Sequence, residues 1–113
     1  MFNYSAQLER VIDGDTVDVI IDLGFSIKYS CRVRLLGINA PESRTRDLKE
    51  KARGLAAKKR LEEILGDHDL TISTQLDARG KYGRVLGKIW THPCKTCVND
   101  MMVTEGHAVP YIR

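Results

Sequence analysis

The residues with most chemical promise lie in one short run, Arg32-Val33-Arg34-Leu35-Leu36-Gly37-Ile38-Asn39-Ala40-Pro41-Glu42. A guanidinium such as that of Arg34 offers a planar fork of donors that matches phosphate oxygens. A carboxylate such as that of Glu42, set near a water, serves as a general base. Phosphate-ester hydrolysis uses both groups. Two more residues fit the same chemistry: Asp15, after the Asp13-Gly14 turn, and Arg84, behind Gly83. Arginines hold the non-bridging oxygens and stabilise the charge that gathers in a trigonal-bipyramidal state. A divalent cation held by carboxylates neutralises phosphate charge. Taken singly, an Asp-Gly-Asp turn is only a turn, and a strand arginine usually faces solvent. The combination carries the reading.

These groups need rigid elements to bring them together. Cys31, Val33 and Leu35 alternate with Arg32, Arg34 and Leu36, so Lys28 to Leu36 reads as a strand that ends at Pro41. Ala40, before that proline, is pushed toward extended geometry. Upstream, Tyr4 to Ile12 and Thr16 to Asp22 read as two strands joined by Asp13-Gly14-Asp15, a hairpin. Downstream, a helix runs to about Leu65. Its buried stripe is Ala57, Leu61, Ile64 and Leu65, with Gly54 near its start and Gly66-Asp67 at its end. Leu70 to Leu76 and Arg84 to Trp90 read as the fourth and fifth strands, and Thr91 to Thr96 as a turn. Asn99 is the expected N-cap of a short helix closed by Gly106. This order fits an all-β barrel with helices: a five-stranded Greek-key barrel of the oligonucleotide-binding type, with one longer and one short helix. A small α+β sandwich is the competing arrangement.

The bulk numbers agree with one domain over residues 1–113, with 42% apolar and 29% charged residues. A net charge of +3 suits a polyanionic partner without requiring one. No apolar run is long enough for a membrane helix. The first ten residues lack the basic-then-apolar pattern of a leader, so the reading favours the cytoplasm over secretion. Three cysteines do not make a disulfide framework. Cys31 falls on the inward face of its strand. Cys94 and Cys97 read most simply as unlinked surface thiols. A local disulfide, or a zinc site with His92 and His107, are the alternatives.

Four segments make a resemblance specific. Ile12-Asp13-Gly14-Asp15-Thr16-Val17, Arg34 through Glu42, Lys81-Tyr82-Gly83-Arg84, and Val98 to Val103 through Gly106 and Ala108 resemble the staphylococcal nuclease family in order and spacing. The resemblance covers nearly the whole chain. It implies an oligonucleotide-binding barrel and calcium-dependent cleavage of DNA and RNA with little sequence preference. Carried over by position, it implies that Asp15 is a metal ligand and that Arg34 and Arg84 are the catalytic arginine pair. Glu42 is then the base, or the residue that orients the water. Tyr82 stacks on or hydrogen-bonds a nucleotide, and Lys81 meets a terminal phosphate.

One departure matters. The second metal carboxylate of the family falls on neutral Asn39, and the next ligand, a backbone carbonyl, falls on Ala40. Fewer charged ligands make a weaker calcium site, expected on the order of millimolar. Asp13 or Asp18 could lie nearby, though the sequence places neither on the ion. The expectation is a monomeric metal-dependent endonuclease acting on DNA and RNA. The alternative is a catalytically weakened or inactive nucleic-acid-binding domain. Arg34, Glu42 and Arg84 together argue for the enzyme, and Asn39 argues for the binder.

Overall fold

Val17, Val19 and Ile21 alternate with Thr16, Asp18 and Ile20, so this segment can bury only one face. The same holds for Val33 and Leu35 between Arg32 and Arg34. A computed structural model, which describes residues 2–66, 68–76, 85–92 and 96–111, turns that pattern into a barrel. The elements run β1 (Phe2–Asp13), β2 (Thr16–Gly24), β3 (Ile27–Leu35), β4 (Ile38–Asn39), α1 (Leu48–Leu65), β5 (Asp69–Leu76), β6 (Val85–His92), β7 (Thr96–Cys97), α2 (Val98–Thr104) and β8 (Val109–Pro110). The long strands pair in the order β3-β2-β1-β5-β6, all antiparallel. A parallel seam between β3 and β6, Val33 with Val85 through Leu35 with Gly87, closes the five strands.

Inside lie Val17, Val19, Val33, Leu35, Ile72 and Ile89, all essentially without solvent contact. Ala57, Leu61, Ile64 and Leu65 of α1 and Val98 and Met102 of α2 join the same core. Each fully buried leucine contributes roughly 1.5–3 kcal/mol of transfer free energy. Among the described residues, no helix is long and apolar enough to cross a membrane.

The buried stripe of α1 is the expected one, but its start is not. The helix begins at Leu48, two turns before Gly54, because Asp47 caps it by accepting from the backbone of Lys49 and Glu50. Those first turns face solvent, with Leu48 79% exposed, so they carry no apolar stripe to read.

Asn99 is likewise no cap. Cys97 holds that position, and Asn99 lies inside α2, buried. Its side chain donates to the carbonyls of Leu36 (2.8 Å) and Gly87 (3.0 Å) and accepts from the Ile89 N–H (3.1 Å). Beside it the Leu36 N–H donates to Gly87 O at 2.8 Å. One amide thus continues the β3–β6 seam beyond the last strand pair. The expected turn over Thr91 to Thr96 is partly strand, with Thr91 and His92 in β6 and Thr96 in β7. Gly106 does close α2, at φ +80°, a conformation that suits glycine.

Candidate active site

The β1–β2 hairpin turns through Gly14 and Asp15, and β3 runs beside β2 with Arg34 opposite Thr16. That register brings Asp15 and Arg34 together. The Asp15 carbonyl accepts from Leu35 N at 2.7 Å, so the turn is sewn to the end of β3. Arg34 NH1 sits 2.7 Å from Asp15 Oδ2, and NH2 donates to Asn39 Oδ1 at 2.9 Å. Ala40 N–H donates to Asp15 Oδ2 at 2.8 Å and the Thr16 hydroxyl to Asp15 Oδ1 at 2.9 Å. Asp15, Arg34, Asn39 and Ala40, singled out from the sequence, therefore form one contact cluster. Asp15 is almost wholly buried and the Arg34 side chain only 15% exposed, a setting where a charge pair is screened little.

Glu42 lies just beyond, exposed, on the segment between β4 and α1. Its neighbours fix its backbone. The Ser43 hydroxyl donates to Asp13 Oδ1, and Ser43 N–H donates to the same oxygen at 3.2 Å. On the other side, α1 crosses so closely that a Cβ at Gly54 would stand 2.2 Å from the Glu42 carbonyl oxygen. At Gly14 a Cβ would meet that of Ala57 at 2.6 Å. Two glycines thus let α1 lie against both the turn that carries Asp15 and the segment that carries Glu42. Sequence reasoning gave Ser43 no role, weighed Asp13 only as a possible neighbour of the ion, and read Gly54 only as the start of the helix. An Asp-Gly-Asp turn with a serine after Pro41-Glu42 was the available signal, but only the fold makes them partners.

The donors around Asp15 suit a hard, oxygen-seeking cation in kind: a carboxylate, the Asn39 amide oxygen and backbone carbonyls. They are poor in charge. The carboxylate is matched by Arg34, and Ala40 reaches it through its N–H. The nearby acids are spent elsewhere, Asp13 on Ser43 and Asp18 on Arg10 and Arg32. Among the described residues no group of three acids, histidines or cysteines gathers around a common point. Arg84, Lys81, Tyr82 and Cys94 lie outside the described residues. Cys97 is half-buried rather than on the surface, and burial pushes its thiol pKa up, as it does that of Cys31.

Comparison with known proteins gives this geometry a context. The family described as staphylococcal nuclease homologue matches residues 32–113. "Protein ParB" of Escherichia coli is 34% identical over 112 aligned residues, covering 93% of this chain and 56% of that protein. "Micrococcal nuclease" of Shigella flexneri is 31% identical over 117, covering 96% and 59%. "Thermonuclease" of Staphylococcus intermedius is 32% identical over 83, covering 74% and 46%. The chain spans about half the length of these relatives. The match takes in Arg34, Asn39 and Glu42, and the closed barrel with two helices is the framework on which they sit: this chain belongs to the staphylococcal nuclease homologue family.

Proposed function

We propose that this domain is a metal-dependent endonuclease that hydrolyses phosphodiester bonds in DNA and RNA with little sequence preference. The observation that carries the reading is the contact cluster of Asp15, Arg34 and Asn39, with Glu42 held at its edge by Ser43 and Gly54. In this reading Arg34 binds a non-bridging oxygen of the scissile phosphate and strengthens that contact as negative charge gathers in the transition state. Its fork is already aimed, by Asp15 on one prong and Asn39 on the other. Arg84 serves as its partner arginine. Glu42, exposed to solvent, orients a water and takes its proton. Lys81 and Tyr82 bind the neighbouring phosphate and base.

Calcium is the proposed cofactor. Asp15, Asn39 and the Ala40 carbonyl would hold it, and it would supply positive charge against the phosphate. With a single carboxylate, binding is weak, on the order of millimolar, until a phosphate adds its own negative charge.

The test is digestion of single-stranded DNA and of RNA with calcium, magnesium, manganese or chelator, beside Glu42→Gln. The expected result is cleavage that needs a metal and is nearly lost in Glu42→Gln. Binding without metal-stimulated cleavage in any of these conditions would favour the second reading, a non-catalytic nucleic-acid-binding domain. What favours that second reading is Asn39, together with an Asp15 already neutralised by Arg34.

A further inference from the structure

The outer face of the barrel beside the candidate active site carries a second set of arginines. On β3, Arg32 lies two residues before Arg34 and faces the same way. The pairing puts Arg32 opposite Asp18 of β2, and Asp18 opposite Arg10 of β1, so the three side chains form one row across three strands. Arg32 Nε donates to Asp18 Oδ1 at 2.9 Å, and its NH2 to Oδ2 at 3.3 Å. Arg10 Nε donates to Asp18 Oδ2 at 2.8 Å. The Asp18 side chain is 11% exposed, while those of Arg10 and Arg32 are 64% and 55% exposed. The Arg32 hydrogen bonds hold the Asp18 carboxyl below its ordinary pKa despite burial, so the acid stays ionised at neutral pH.

Two guanidinium groups on one carboxylate leave a net charge of +1. Both arginines meet Asp18 through Nε, which leaves NH1 of Arg32 and both terminal nitrogens of Arg10 outside the clasp. An exposed arginine normally loses much side-chain entropy when it grips an anion. Here Asp18 has already fixed both forks, so less remains to be lost. The row stands two residues along the strand from Arg34, about 6.6 Å at 3.3 Å per residue. That is comparable with the step between successive phosphates of an extended single strand. In the next row outward Ser30 stands opposite Ile20 and Ile20 opposite Gln7, so that row carries no charge, and the Ser30 hydroxyl donates to Glu9 at the β1 bulge.

We propose that the Arg10–Asp18–Arg32 clasp is a phosphate subsite that holds the substrate backbone one nucleotide away from the phosphate bound by Arg34. This rests on the nuclease reading for what Arg34 does. Its own ligand is a nucleic-acid phosphate.

Anisotropy of a labelled oligodeoxythymidylate of about eight residues, a length within the range single-strand barrels cover, tests it between 50 and 200 mM salt with chelator present. Arg10→Gln and Arg32→Gln each keep one arginine on Asp18, and thermal unfolding checks that each folds. Each lost phosphate contact should flatten the plot of log affinity against log salt by about 0.7. The wild-type advantage over either variant should then shrink about 2.6-fold across that range. Arg60→Gln removes the same charge from α1, where Arg60 pairs with Glu105, and should leave the slope at the wild-type value. With metal restored, the Arg32→Gln loss should appear in KM more than in kcat. Wild-type slopes in Arg10→Gln and Arg32→Gln overturn the subsite and leave the clasp a strand-to-strand tie, even if both variants melt earlier. Cleavage by the wild type with those unchanged slopes defeats this proposal alone. A steep, arginine-dependent slope without cleavage defeats only the nuclease reading. No binding with chelator present defeats this proposal, and no cleavage with any of the metals in addition defeats the nuclease reading as well.

Discussion

Replacing Gly54 by alanine should damage this protein, although the general rule for helices says the opposite. At an open interior helix position, glycine to alanine gains about 1 kcal/mol. Gly54 is buried, and an added Cβ would lie 2.2 Å from the Glu42 carbonyl oxygen, 2.4 Å from its carbonyl carbon and 2.7 Å from Ser43 N. All three are backbone atoms, so no rotamer change relieves the contact. The Glu42–Ser43 segment must retreat by roughly 0.8 Å merely to reach 3.0 Å, the shortest approach real Cβ atoms show, and by about 1.2 Å to reach an ordinary contact of 3.4 Å. Overpacking of this kind costs about 1–3 kcal/mol, which outweighs the propensity gain. The retreat also carries Glu42, and a 1 Å misplacement at a reacting centre can cost on the order of 100-fold. The expected outcome is a lowered melting temperature and a larger proportional loss of cleavage than of oligonucleotide affinity. Thermal unfolding, a cleavage time course and an anisotropy titration on the same preparation measure the three quantities. A Gly54→Ala protein that melts higher and cuts at the parental rate would refute the claim that α1 sets the position of Glu42.

Three further outcomes follow from the same geometry. Arg34→Lys should fold but lose roughly 3–4 kcal/mol of transition-state stabilisation, because one ammonium cannot face Asp15, Asn39 and a phosphate as a fork does; single-turnover cleavage rates measure it, and near-parental rates would remove Arg34 from the phosphate. Asn39→Asp should bind calcium more tightly and cleave at lower calcium, since ligand charge count tunes such sites; calorimetry and rate titrations that do not move would mean the side chain at 39 does not reach the ion. The Asp18 pKa is depressed in the folded protein, so its contribution to stability is fully present above the ordinary aspartate value of 3.8 and is lost as pH falls through the lower folded value. Acid unfolding should therefore show a shallower limb below about pH 4 in Asp18→Asn, and superimposable limbs would mean that Asp18 is not held ionised by Arg32 and Arg10.

Much of the barrel was legible because a half-buried strand must alternate. Val17-Val19-Ile21 and Val33-Leu35 announced their strands, and Ala57-Leu61-Ile64-Leu65 announced the face of α1. The start of α1 was not legible, because its first turns face water and rest on the Asp47 cap. Asn99 looked like a cap because asparagine favours caps, but a buried amide can serve strand ends equally well. Asp15 and Arg34 stood out by residue type and spacing, and Asn39 only through the family resemblance. Their mutual contacts depended on the β2–β3 register, which periodicity alone does not fix across strands. The Asp13–Ser43 and Gly54–Glu42 contacts join residues far apart in sequence, and neither residue type signals its partner.

The Asn99 amide also bears on the order in which this barrel can be made. The β1–β2 and β2–β3 hairpins need only short loops, so they can form early. The β3–β6 seam joins residues about fifty positions apart through just three strand pairs, Val33 to Leu35. Its continuation past Leu35 is supplied by a residue ten positions beyond Ile89. On a ribosome, the first three strands therefore wait as an open sheet, with β3 as a bare edge, until β6 has emerged, and the seam is complete only when α2 brings in the Asn99 amide. Synthesis that pauses between β3 and β6 would leave that edge unpaired, and a pause between β6 and Asn99 would leave the seam without the amide that ties Leu36 to Gly87.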